Sequence, residues 1–123
     1  MNLINQSRDK AVMAKVIGLE IYRLRKECAM TGVQLAKILQ VSQQQISRYE
    51  RGVCHITVDA LVLILDALHI SMAEFFKRVY LSSISHKDAQ FVLNYHSVMM
   101  PPLEILPHHL SHHDEAFFWG ETK

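Results

Sequence analysis

The sequence predicts an all-α protein, and three observations carry that prediction. Apolar residues recur three and four positions apart through most of the first 80 residues, the spacing that lines one face of a helix. Three segments, Thr31-Gly32-Val33-Gln34, Ser42-Gln43-Gln44-Gln45 and Ser71-Met72-Ala73-Glu74, have the form of a capping box that opens a helix. No stretch shows the sustained alternation of a strand, and 4 glycines in the whole chain are few for the turns of a sheet protein.

Taken in order, the first helix is expected from Val12 to Cys28, where Val16, Ile17, Ile21 and Leu24 share a face and Arg23, Arg25 and Lys26 lie between or beyond them. Thr31 then caps a short second helix that runs through Leu39 and buries Leu35, Ala36 and Leu39, with Gln34 returning the capping bond. Ser42 caps a third helix, again with its partner three residues on at Gln45, and Gly52 ends it. Only Gln40-Val41 separates the second helix from this cap, a connection that favours a sharp helix-turn-helix corner over an antiparallel hairpin. Thr57 caps a fourth helix with Leu61, Ile64, Leu65 and Leu68 on its apolar face, and Ser71 opens a fifth carrying Phe75, Phe76, Val79 and Tyr80.

Beyond residue 80 the pattern loosens. A sixth helix is expected over Ser85 to Met99, with Ala89, Val92, Leu93 and Tyr95 available for burial, and Pro101-Pro102 stops it. Residues 103–123 mix Pro107, four histidines and a closing Phe117-Phe118-Trp119, and no fold is assigned to them. The domain boundary is therefore placed at 1–80 and 81–123.

Composition limits the function. With 123 residues, 50% hydrophobic and 20% charged, the chain can bury one core of ordinary size. Cys28 and Cys54 are too few for a disulfide framework and form no C-x-x-C pair, so two reduced thiols are expected. Lys15 and Glu20 interrupt the apolar run near the start, which argues against a signal peptide. Asp59, Asp66, His69 and Glu74 fall within the most apolar window, Val58 to Phe76, so no membrane span is expected and a cytoplasmic location is. Residues 1–80 hold eleven Lys or Arg against seven Asp or Glu, and residues 81–123 hold two against five, so the front carries +4 and the back −3. A nucleic-acid partner would meet the front.

The run Ser42 to Gly52, SQQQISRYERG, is the most informative stretch. Five of the seven glutamines lie between Gln34 and Gln45, so three in succession are a local choice. On a helix, Ile46 and Tyr49 lie about 60° apart and define a buried side. Gln44, Ser47, Arg48 and Arg51 then form the opposite side, with Gln43 in the exposed first turn. A glutamine amide presents a donor and an acceptor edge that match N6 and N7 of adenine, while arginine matches O6 and N7 of guanine. One glutamine as a cap, Gln45, and two as base readers account for the run.

Met30 to Gly52, MTGVQLAKILQVSQQQISRYERG, closely resembles the helix-turn-helix of the Cro/CI-type (XRE-like) phage-repressor family. The likeness rests on the Leu35-Ala36 pair, the Val41-Ser42 corner and the Ile46-Ser47-Arg48-Tyr49-Glu50-Arg51-Gly52 exit, and it extends through Val58 to Phe76. It implies a five-helix phage-repressor-like domain with an extra C-terminal helix and tail. By position it implies base contacts from Gln43, Gln44 and Arg48, with Ser47 close enough to contribute, and phosphate contacts are expected from Thr31, Lys37, Ser42 and Arg51. Within the family, SQQQISRYERG and the chain length are similar to regulators encoded in fimbrial operons of enteric bacteria, which repress flagellar genes. That likeness implies a repressor that binds double-stranded DNA, and the apolar Phe117-Phe118-Trp119 ending is expected to pack on its own domain or a second copy, giving a homodimer suited to a palindromic operator. Two departures from the family pattern stand out: Gly32 where many members place a phosphate-touching Gln, and Gln40 at the turn position that is often Gly.

Outside the motif, Pro107 to Asp114 contains His108, His109, His112 and His113, two pairs with the i, i+4 spacing of zinc ligands. Pro107 and Ser111 interrupt helix continuity there, so no metal site is expected. No phosphate-cradling glycine loop, nucleophile elbow or H-E-x-x-H occurs, so neither an enzyme nor a cofactor is expected. Two competing readings follow from the back of the chain. One is an antitoxin-like autoregulator whose residues 81–123 bind a protein partner, and the other is a metal-responsive regulator that uses the tail histidines.

Overall fold

A computed structural model describes residues 3–83 together with the isolated positions Asn94 and Val98. Five helices follow one another: α1 (Leu3–Glu27), α2 (Gly32–Leu39), α3 (Gln43–Arg51), α4 (Val58–Ala67) and α5 (Met72–Ser83). Among the described residues there is no strand. The sixth helix expected over 85–99 falls outside the described residues apart from Asn94 and Val98, which are helical and exposed, and the histidine run and Phe117-Phe118-Trp119 also fall outside them.

Helix starts follow the hydroxyl residues. The Thr31 hydroxyl accepts from the Gln34 amide at 3.1 Å and the Gln34 side chain accepts from the Thr31 amide at 2.8 Å, a complete capping box. Ser42, Thr57 and Ser71 accept from the backbone amides of Gln45, Ala60 and Glu74 at 3.0, 3.2 and 3.0 Å. At the Ser42 box the return bond differs from expectation, because the half-buried Gln45 donates its side-chain amide to Cys54 Sγ at 3.4 Å.

Helix ends share one device. Ala29, Gln40, Gly52 and His69 all have a left-handed backbone, with φ of 53°, 57°, 68° and 58°. The next residue in each case, Met30, Val41, Val53 or Ile70, returns its N–H to the carbonyl five positions back, at 3.0–3.2 Å. These bonds satisfy carbonyls that the helix end would otherwise leave unpaired, and each follower is apolar, as the Schellman motif favours.

α1 begins nine residues earlier than the Val12 expected from apolar spacing. Residues 6–15 contain alanine, lysine, arginine, glutamine and methionine, which favour a helix without needing a buried face. Its first turns are not idle, since Lys10, Met13, Ala14 and Ile17 form one wall of a groove of about 370 Å³ against His55, Ile56 and Leu61.

Two apolar clusters hold the helices together. The larger joins Ile21 and Leu24 of α1 to Leu61, Ile64 and Leu65 of α4, Leu68 after it, and Phe75 and Val79 of α5. The smaller, Leu35, Ala36 and Ile46, locks α2 to α3, and Met30, Leu39 and Tyr49 pack against both clusters. Each fully buried side chain of this size contributes roughly 1.5–3 kcal/mol. Glu20 is the one buried carboxylate among them, and it accepts from Arg78 Nε at 3.1 Å and the Ser82 hydroxyl at 3.3 Å, tying α5 to α1. Arg78 also bonds Glu27, which holds the Glu27 carboxyl below its usual range.

Candidate nucleic-acid interface

The short α2–turn–α3 unit depends on backbone contacts that only glycine allows. A methyl group on Gly18 would lie 2.3 Å from the Tyr49 carbonyl oxygen and 2.8 Å from that of Glu50. A methyl on Gly52 would lie 2.6 Å from Lys15 Cα, at a position whose φ of 68° already favours glycine. α1 therefore rests directly on the backbone of the last turn of α3.

An ion pair fixes the same crossing. Arg25 Nε and Nη2 reach the two Glu50 carboxylate oxygens at 2.6 and 3.0 Å, and Arg25 Nη1 donates to the Met30 carbonyl at 2.8 Å. The Glu50 hydrogen bonds raise the Arg25 pKa above its usual value, against the opposing effect of burial. Such a paired, largely buried carboxylate is structural, and it sets the roll of α3 about its own axis.

With Ile46 buried and Tyr49 and Glu50 half-buried, the residues expected to read bases fall on the other side. Gln43, Gln44 and Arg48 are exposed and Ser47 is half-buried. Arg51 is exposed at the helix end, where its Nε donates to the Ser47 carbonyl at 3.4 Å. Lys37 is exposed in the last turn of α2. Thr31 and Ser42 are exposed but already act as caps, so each hydroxyl keeps only its own proton and remaining lone pair for a ligand. Gln43 lies over Gly32, where a Cβ would be 3.8 Å from Gln43 Cγ.

Gln43, Ser47 and Arg51 also form one wall of a second groove, of about 410 Å³. Leu19 and Tyr22 of α1 form its other wall, and Arg25, Ile46 and Glu50 line it as well. Sequence reasoning missed this α1 contribution and also missed Cys54. Nothing local marks Cys54 as the partner of Gln45, because the loop after Gly52 has to turn back along α3 to bring them together.

Residues 21–75 match the Helix-turn-helix family. That segment is similar to helix-turn-helix domains. Over 61 residues the chain is 39% identical to an uncharacterised HTH-type transcriptional regulator of Rickettsia conorii and to another of Rickettsia prowazekii. The match takes in 50% of this chain and 49% and 47% of those proteins, so the chain spans about half the length of the curated relatives it matches. Among solved structures, a point mutant of the restriction-modification controller protein C.Esp1396I is 27% identical, with a TM-score of 0.56, over 60% of this chain and 94% of that one. The tetramer of the same controller in complex with its natural 35 base-pair operator is 25% identical, with a TM-score of 0.51, over 65% and 93%.

Within that segment α2 and α3 are joined at the left-handed Gln40, and α3 carries the exposed Gln43, Gln44 and Arg48. Among the described residues no cluster of His, Cys, Asp and Glu could hold a metal ion, and no helix is long and apolar enough to cross a membrane.

Proposed function

We propose that this chain is a sequence-specific transcriptional regulator that binds double-stranded DNA by placing α3 in the major groove. The observation that carries this reading is the orientation of α3. Arg25, Gly18 and the Ile46 cluster hold its inner side, while Gln43, Gln44 and Arg48 stand outward on consecutive turns. Side chains with two-pronged hydrogen bonding on the first turns of a projecting helix suit adenine and guanine edges. The operator complex of the C.Esp1396I tetramer supports the same use of the fold.

The finer parts of the proposal rest on the sequence, through its composition and spacing and through the family resemblance. They are a cytoplasmic homodimeric repressor on a palindromic operator, flagellar or fimbrial target genes, base reading by Gln43, Gln44, Ser47 and Arg48, and backbone contacts by Thr31, Lys37, Ser42 and Arg51. The division into a DNA-binding unit at 1–80 and a dimerisation or partner-binding segment at 81–123 belongs to the same proposal. Selection of bound sequences from random duplex DNA by the purified chain tests it. An enriched palindrome that loses definition in Gln44→Ala supports base reading, with a loss of ~1–3 kcal/mol on the selected site. Absence of any enriched sequence overturns it.

A further inference from the structure

We infer that α1 grips the DNA as well, and that the groove between α1 and α3 seats the sugar-phosphate backbone of one strand. This inference rests on the DNA-binding reading above and adds a surface to it.

Three observations converge on the groove. First, Lys15, Leu19, Tyr22 and Lys26 lie within about 60° of one another around α1, on its exposed side. Leu19 and Tyr22 are 43% and 41% exposed, large for apolar and aromatic residues beside a packed core. Second, the facing wall is Gln43, Ser47 and Arg51, which flank the outward ridge of Gln44 and Arg48. A duplex read by that ridge must carry a strand past this flank. Third, the charge is one-sided. Glu50 is the one carboxylate lining the groove, and Arg25 neutralises it with two hydrogen bonds. Arg51 on α3 is then the unneutralised charge in the lining, and Lys26 stands beside it, its Nζ 5.5 Å from the Tyr22 ring centroid. Lys15 adds a third, one turn before Leu19, where its backbone meets Gly52.

Deoxyribose offers apolar faces, and phosphate offers charge at regular intervals. Leu19 and the Tyr22 ring match the first, and Lys15, Lys26 and Arg51 match the second. Cations so placed position the protein without reading sequence.

The test uses the full chain, with affinity measured on its selected operator and on random duplex over a range of salt. Lys15→Gln and Lys26→Gln should each weaken binding about three- to tenfold on both DNAs and lower the salt slope by about one unit. Tyr22→Ala should weaken both DNAs without changing the slope, and Tyr22→Phe should restore wild-type affinity. Lys77→Gln, on α5, should change nothing. If the α1 variants bind both DNAs as the wild type does while Gln44→Ala loses its preference, the groove inference fails and the regulator reading stands. If the wild type binds random duplex without preference and the α1 variants weaken it, base reading fails and the groove stands. A wild type that binds no duplex overturns both.

Discussion

Gly18 has no local reason to be glycine. It sits inside α1, where alanine would be the better helix former by about 1 kcal/mol. Its reason is the Tyr49 carbonyl, 2.3 Å from where a methyl would stand. Gly18→Ala is therefore expected to destabilise the domain by roughly 2–3 kcal/mol through overpacking, measured as a lower denaturant midpoint. An unchanged midpoint would show that α1 can shift freely on α3. Gln40 gives the opposite case, since a left-handed conformation costs a residue with a Cβ about 1 kcal/mol. Gln40→Gly should raise stability by about 0.5–1 kcal/mol, and a lower melting temperature would contradict that. The left-handed turn at Gly52 was legible because a C-cap glycine is a local signal, and that at Gln40 was legible only through the family resemblance. Ala29 and His69 were not, because nothing in either side chain announces φ > 0; the apolar residue following each was the only hint.

Between elements, the decisive contacts join residues far apart in sequence. Capping hydroxyls and apolar spacing located all five helices, and the motif spacing oriented α3, so its outward ridge was legible. The Arg25–Glu50 pair was not legible, because its two members, 25 residues apart, could not be matched without the α1–α3 crossing. Breaking this largely buried pair with Glu50→Ala should cost roughly 3–5 kcal/mol, because Arg25 keeps its charge and loses its acceptor. Replacing both with apolar residues should cost less than the single change, and a double variant at least as unstable as Glu50→Ala would argue against this account. Acid should act on other helix joints. The Arg78 hydrogen bond lowers the Glu27 pKa from 4.5, and the Thr57 hydroxyl lowers that of Asp59 from 3.8. Carboxyls depressed in the fold stabilise it above their unfolded values, and that contribution is lost as pH falls through the lower folded ones. The denaturant midpoint should therefore hold from pH 7 down to about 5 and fall below about 4. Glu27→Gln should remove part of that fall; an identical pH profile would count against the Arg78 link.

For the molecule as a whole, two clusters with shared neighbours make the described helices one cooperative unit, whose thermal and denaturant transitions should coincide. Its residues divide cleanly by role. Ile46, Tyr49, Glu50 and Gly52 are held by α1 and α2, whereas Gln43, Gln44 and Arg48 are exposed. Exchanging exposed side chains of this kind usually changes stability by no more than about 0.5 kcal/mol. In evolutionary terms, under the proposed function these exposed positions can drift and a lineage can acquire new binding sites one substitution at a time, without first accumulating spare stability to survive each step.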